Sequence, residues 1–307
     1  MRTRFAVTLA TVCTALFACA GYSQRATAEP VARFSSAIKI PRDAPWVGGL
    51  SGLVLSENGL EFHMISDRGT LASGKIVRNN GALERLEIAE AQPIVNRFGV
   101  PLPTAFADAE GLAVHPDGRI FISFETEDRV SVYAGFDGQE RLTAFTREWR
   151  VFPKNKGLEA LALAPDGALW AIPEHVWKSG TEGRIYRLTP GGRWQLHAII
   201  PTDNGLRPVG ADFGPDGYLY LLERGFFALG FYNRVRRLKL EGEKISWIET
   251  VLQTISGRHG NLEGISVWQN EMGDIVITMV SDDNFQSVQR NQMVEYVLDT
   301  GVAPISD

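Results

Sequence analysis

Five stretches of this 307-residue chain read alike, and no other feature limits its fold so strongly. They are residues 49–55 with Asn58-Gly59; 110–114 with Pro116-Asp117-Gly118; 159–163 with Pro165-Asp166-Gly167; 210–213 with Pro215-Asp216-Gly217; and 263–267 with Met272-Gly273. Each is a short apolar run, a turn, and a second apolar run such as Ile120-Phe121-Ile122 or Leu219-Tyr220-Leu221-Leu222. Asx-Gly pairs supply the positive φ angles of tight hairpin turns, so Asp117, Asp166 and Asp216 are read as turn residues. The nearly continuous apolar runs suit strands buried on both faces. Further strands are expected at 129–133, 183–188, 233–240 and 292–298, with fourth strands at 194–200 and 245–252.

A spacing of roughly 50 residues is that of propeller blades. The expected fold is therefore all-β: a β-propeller of four-stranded blades, five by repeat count. The longer gap between the first two repeats leaves room for a sixth. The last repeat lacks a fourth strand, and residues 31–40 read as a strand without a repeat. Pairing the two closes the ring and removes both open edges.

The N-terminus reads as a secretory signal peptide over 1–28: Arg2 and Arg4, an uncharged apolar stretch over 5–20, then Ala26-Thr27-Ala28. Residues 29–307 are then one propeller domain, periplasmic or secreted, with no transmembrane span. Leu16-Phe17-Ala18-Cys19 loosely matches a lipobox, so a chain lipid-anchored through Cys19 is the alternative. Cys13 and Cys19 are the only cysteines, so the mature chain has no thiol chemistry. Removing 1–28 takes three of the 31 basic residues and none of the 36 acidic ones. A chain so acidic is expected to bind no nucleic acid, which needs a basic face. A monomer is expected.

The acidic residues collect at strand ends. In an antiparallel hairpin, residues symmetric about the turn face each other. Placing the turns between Asp117 and Gly118, and between Asp166 and Gly167, sets Glu110 against Glu125 and Glu159 against Glu174. Asp67, Asp212, Glu223, Glu263, Asp282, Asp283 and Asn284 fall near the same hairpin ends. Since the first strand of a blade is innermost, Glu110, Glu159 and Glu263 should converge at one mouth of the channel. Such carboxylates repel one another unless a cation intervenes. Arg68, Arg224 and Arg258 are candidate partners. A hard divalent cation, calcium before magnesium, suits the all-oxygen donors Glu110, Glu159, Glu263, Asp282, Asp283 and Asp67. With five His and no mature Cys, a transition metal is disfavoured. His63 reads as a packed residue and His115 as a solvated turn residue. His175, beside Glu174, and His259 are better placed for proton transfer. Glu174, His175, Arg68 and Arg224 are thus the catalytic candidates. No nucleophile elbow, phosphate loop or dinucleotide fingerprint is present.

The chain resembles the phytase-like, esterase-like propeller family of exported bacterial proteins. The matching pieces are Gly49-Leu50-Ser51-Gly52 with Ser66-Asp67-Arg68-Gly69; Asp108-Ala109-Glu110-Gly111 with Glu125; Gly157-Leu158-Glu159-Ala160-Leu161; Leu222-Glu223-Arg224; and Asn261-Leu262-Glu263-Gly264 with Ser281-Asp282-Asp283-Asn284-Phe285. The resemblance implies a hydrolase of ester or phosphoester bonds. Asp282-Asp283-Asn284 also resembles, loosely, the metal ligands of calcium-dependent lactonase propellers. A net acidic chain fits a small ester, lactone or phosphomonoester better than a highly phosphorylated substrate. The alternative is a non-catalytic propeller that binds a ligand or partner at the same mouth. Export carries its own test: N-terminal sequencing of the exported protein is expected to begin Glu29-Pro30-Val31, and a start at a lipid-modified Cys19 would overturn the soluble assignment.

Overall fold

The computed structural model describes residues 32–298, apart from Pro45, Ala144, Asn204 and Leu229. The segments read as a signal peptide and a lipobox lie outside the described residues. Five four-stranded antiparallel sheets form a ring, a five-bladed β-propeller. From the axis outward, blade 1 is β2 (Leu50–Leu55), β3 (Glu61–Ser66), β4 (Thr70–Asn79) and β5 (Ala82–Pro93). Blade 2 is β6 (Ala109–Val114), β7 (Ile120–Phe124), β8 (Arg129–Tyr133) and β9 (Arg141–Leu142). Blade 3 is β10 (Ala160–Leu163), β11 (Leu169–Ile172), β12 (Glu182–Leu188) and β13 (Trp194–Pro201). Blade 4 is β14 (Arg207–Phe213), β15 (Leu219–Phe227), β16 (Gly230–Glu241) and β17 (Lys244–Gln253). Blade 5 takes β18 (Asn261–Gln269), β19 (Ile275–Asp282) and β20 (Gln292–Leu298) from the end of the chain, and β1 (Ala32–Lys39) from its start. β1 pairs antiparallel with β20, so the N-terminal strand closes the ring. The long gap after the first repeat holds the long β4–β5 hairpin and its exit loop, not a sixth blade.

Each gap between neighbouring blades is filled by one apolar cluster. Leu221 and Leu238 of blade 4 meet Ile172 and Ile185 of blade 3; Leu222 and Val235 meet Leu262 and Ile277 of blade 5. Burying each such side chain stabilises the ring by roughly 1.5–3 kcal/mol. Around the axis the innermost strands approach until only a very small residue fits. A Cβ added to Gly210 would lie 2.2 Å from the Glu263 carbonyl, and one added to Gly111 2.9 Å from the Leu161 nitrogen.

The turns correct the hairpin register expected above. His115 and Arg119 flank the second turn, Gly118 N–H bonds to His115 O at 2.8 Å, and Gly118 takes φ +90°. Three residues rather than two lie between the flanking pair, so the centre falls on Asp117 and Leu112 faces Ile122. The third turn behaves alike, with Ala160 opposite Ile172. A bulge then shifts the pairing again, so that Ala109 faces Phe124 and Glu125 N–H reaches Asp108 O at 3.0 Å. The open end of this hairpin therefore pairs Glu125 with Asp108 along the backbone, not with Glu110.

Two sequence candidates prove to be fold-holding groups away from the mouth. Asp212 sits near the turn end of β14, opposite Tyr220. It accepts from Val267 N–H at 2.7 Å and Ser266 Oγ at 3.2 Å, stapling blade 4 to blade 5. Burial pushes its carboxyl up to about 7. Glu223 is wholly buried between blades 3 and 4, where Arg234 Nε reaches it at 2.8 Å and Arg236 Nε and Nη2 at 2.8 and 2.7 Å. Removing one member of such a buried network strands the others. Glu223→Ala is expected to cost about 3–5 kcal/mol. At about 2–4 °C per kcal/mol that is a fall in Tm of order 10 °C by calorimetry; a Tm unchanged from wild type would mean the two guanidinium groups find other partners.

Candidate functional site

The bulges build the mouth. In β2, β6, β14 and β18 the pairing slips just before Gly52, Leu112, Gly210 and Gly264. A bulge re-aims a side chain. Ser51, Glu110, Val209 and Glu263, with Glu159 at the matching place before Ala160, all line one narrow cavity on the axis, with room for about one water-sized occupant. Glu110, Glu159 and Glu263 do converge, as the repeat positions imply.

Their environment is strongly acidic. The charges that act most on Glu110 are those of Glu159, Glu263, Asp108 and Glu125, and with burial they hold its carboxyl well above the usual range. Glu159 is pushed up in the same way, by burial and Glu263, and Arg224 only partly offsets it. Burial raises Glu263 to about 8 against the pull of Arg224. Burial, then Asp282 and Asp108, raise Asp67 to about 7. Asp282 is also raised by burial, though Asn261 Nδ2 at 3.1 Å and Asn284 N–H at 2.6 Å stabilise its charged form.

Arg224 compensates one side of the mouth. Its Nη1 donates to Asn261 Oδ1 at 2.8 Å and to Glu263, and its Nη2 to Glu174 Oε1 at 3.0 Å. Among the described residues the other side has no such partner. Oxygens of Asp108, Glu110 and Glu125 lie within 4.8 Å of one another, a group able to bind a metal ion. Glu125 is fixed by Gly157 N–H at 3.0 Å, and Asp108 by Thr126 Oγ1 at 3.0 Å. An all-carboxylate donor set of this kind fits a hard cation.

Other candidates are placed differently. Asp283 is engaged by Arg42 Nε at 2.6 Å, Gly49 N–H at 3.1 Å and Phe285 N–H at 3.0 Å, so it clips the chain before β2 to the β19–β20 loop. Asn284 turns outward to Gln289 at 3.0 Å. Arg68 lies over the Phe285 ring at 3.3 Å, at the seam of blades 1 and 5. His259 is not at the mouth: it is buried against Tyr296, Nε2 to hydroxyl 2.7 Å, and burial lowers its pKa to about 4. Arg258 lies over Phe34, not over the acids. Glu174 and His175 part company. Glu174 meets Arg224, while the His175 ring packs with Trp177 at 4.4 Å and Phe152 at 6.2 Å over blade 3.

Sequence reasoning passed over three mouth residues as ligands. Asp108 belongs to the candidate metal group; Asn261 bridges Glu263 and Asp282 at 2.8 and 3.1 Å; Asp128 has a buried Oδ1 without a partner among the described residues and is raised by burial to about 7. The signal for Asp108 was its place two residues before Glu110, visible once a bulge is allowed. Gly157 is also informative: a Cβ there would meet Asp128 Oδ1 at 2.1 Å.

Fold and site together define a five-bladed propeller with a buried carboxylate cluster at one mouth. The chain belongs to the phytase-like family described as esterase-like activity of phytase, whose profile matches residues 45–285. No curated protein matches it. Among solved structures it is similar to the PQQ-bound aldose sugar dehydrogenase of Streptomyces coelicolor, with 14% identity over 88% of this chain and 100% of that one, at a TM-score of 0.51. It is also similar to an exo-β-1,3-galactanase of Clostridium thermocellum, with 12% identity over 85% and 62%, at a TM-score of 0.54. At these identities the likeness is one of fold. Among the described residues no helix is long and apolar enough to cross a membrane.

The raised carboxyls make a pH prediction. They bind protons more tightly when folded than when unfolded, where their pKa is about 4. Their stabilising contribution is complete below about pH 4 and is lost as pH rises through about 7 for Asp67 and about 8 for Glu263. In chelator, the Tm of Glu263→Gln relative to wild type is expected to rise from pH 5 to pH 8. A constant difference across that range would mean Glu263 is compensated in the folded protein.

Proposed function

We propose that this chain is an exported calcium-dependent hydrolase of small esters or phosphoesters, with its reacting centre at the acidic mouth. The observation that carries this is the trio of buried Glu110 with half-buried Asp108 and Glu125, whose strongest charged neighbours include no cation on the Glu110 side. These three residues would hold the ion. Glu159, Glu263, Asp67 and Asp282 stand beside them as further oxygen donors or proton carriers. A bound calcium ion polarises a carbonyl or phosphoryl oxygen. Arg224 fixes Glu263 and Glu174 and keeps one side of the mouth neutral, so added positive charge is directed to the other. Carboxyls raised to about 7 and about 8, as at Asp67 and Glu263, are suited to proton transfer near neutral pH. His175, lowered by burial and by Lys156, Arg184 and Arg207, is neutral at pH 7 and serves the rim rather than the trio. The family's description supports hydrolysis of an ester.

Calcium titration with activity profiling on ester, lactone and phosphoester substrates tests this reading. Saturating calcium at about a hundredfold over Kd is expected to add about 2.7 kcal/mol of stability. Glu110→Gln is expected to weaken calcium binding and turnover together, by about 10- to 100-fold. That is the range seen when groups supporting a metal site are removed. Calcium binding with no turnover of any substrate would favour the non-catalytic binding propeller. No calcium effect on melting would remove the metal from the account.

A further inference from the structure

The cations at the mouth are of two kinds. Arg224 is fully engaged by Glu263, Glu174 and Asn261. Arg207 is not, although it faces Arg224 directly in the β14–β15 ladder. Like charges directly opposite are destabilising unless something negative offsets them. Among the described residues the guanidinium of Arg207 donates only to the adjoining Leu206 carbonyl, at 3.1 Å. Lys156 is half-buried, yet its ammonium has no hydrogen bond or ion pair among the described residues. Arg184 lies over Trp177 at 4.1 Å with its Nε buried and, among the described residues, without an acceptor; the carboxylate in ion-pair reach, Glu148, is 3.8 Å away and half-exposed.

His175 ties these three together. Its N–H donates to Lys156 O at 3.1 Å, its ring meets Trp177 edge-on beside Arg184, and Lys156, Arg184 and Arg207 all act on it electrostatically. Half-buried cations gain most from an anion, because charge-assisted hydrogen bonds are the stronger ones and partial burial reduces screening. We propose that Arg207, Lys156, Arg184 and His175 form an anion-binding subsite over blade 3, which anchors a carboxylate, sulfate or phosphate of the substrate away from the bond that is cut. Its role in turnover rests on the hydrolase reading; its capacity to bind an anion does not. The acidic centre repels the same anion, so the two fields orient a substrate with its charged end over blade 3. The substrate class this selects is an ester bearing a remote anionic group.

Two measurements test this. Sodium sulfate titrated into the purified protein by calorimetry is expected to bind in the millimolar range. Arg207→Gln and Lys156→Gln should each weaken that binding about tenfold or more, the loss typical of a hydrogen bond to a charged group. Glu110→Gln should not weaken it, and Arg207→Lys should restore part of it. No sulfate binding in wild type, or equal binding in all variants, overturns the subsite. Matched aryl esters with and without a remote carboxylate give the second readout. Arg207→Gln is expected to raise KM about tenfold for the charged ester alone, with kcat unchanged. Equal losses on both esters overturn it. If sulfate behaves as expected and neither ester turns over, the subsite stands and the hydrolase reading fails.

Discussion

The narrow axis of a five-bladed ring is the constraint from which the site follows. Five innermost strands meet so closely that Gly52, Gly111, Gly210 and Gly264 have no room for a Cβ. The residue before each is turned into the channel by a bulge, and Glu159 before Ala160 holds the fifth equivalent position. Any charge at that position is therefore desolvated and crowded at once. Three of the five positions are glutamates, and the other two, Ser51 and Val209, carry no charge to oppose them. Burial penalises each carboxylate; acidic neighbours add to the penalty at Glu110, and Arg224 relieves it only in part at Glu159 and Glu263. The sequence compensates on one side only, through Arg224. A site balanced on one flank and unbalanced on the other has a direction, and the Asp108, Glu110 and Glu125 group lies on the unbalanced flank.

Much of the architecture could be read from the repeats, because apolar runs and Asx-Gly turns recur with the period of the blade. The N-terminal strand was legible because a ring with one strand missing leaves two exposed edges. Side-chain placement at the mouth was less legible. A three-residue turn and a two-residue turn can carry the same Pro-Asp-Gly letters, yet they shift the register by one residue. The bulge at Glu110-Gly111 has no marker of its own beyond a small residue in an apolar run. Convergence of Glu110, Glu159 and Glu263 survived the error, since it depends on equivalent positions in each repeat rather than on facing pairs. Asp212 was misplaced because its partner, Val267 N–H, lies in the next blade, and Glu223 because its partners, Arg234 and Arg236, lie across the β15–β16 hairpin rather than the inner β14–β15 one.

Similar acids thus serve opposite ends. Glu223 is dry, enclosed by two guanidinium groups, and holds blade 4 together while facing blade 3. Glu110, equally buried, is surrounded by acids. Burial alone does not separate a carboxylate that holds the fold from a candidate site carboxylate; the sign of the surrounding charge does. The same criterion sets Asp283, held by Arg42 and two backbone N–H groups, apart from its neighbour Asp282, which looks onto Asp67 and Glu263.

Ring closure and site assembly are then one event. Asp67 belongs to blade 1 and Asp282 to blade 5, and they act on each other across the seam where the two ends of the chain meet. That seam is held by the pairing of β1 with β20 and by the Asp283 clip to Arg42 and Gly49. Arg68 stacked on Phe285 spans it at the rim. The clip consists of a few polar contacts, but β1 contributes a whole ladder of backbone hydrogen bonds and the apolar contacts of Ala32. The repulsion between Asp67 and Asp282 works against closure, and the pairing of β1 must exceed it. A cation shared by the mouth acids would relieve that repulsion and tighten the seam together with the site. On the proposed metal reading, affinity for the ion and the stability of the N-terminal strand would be linked through this seam.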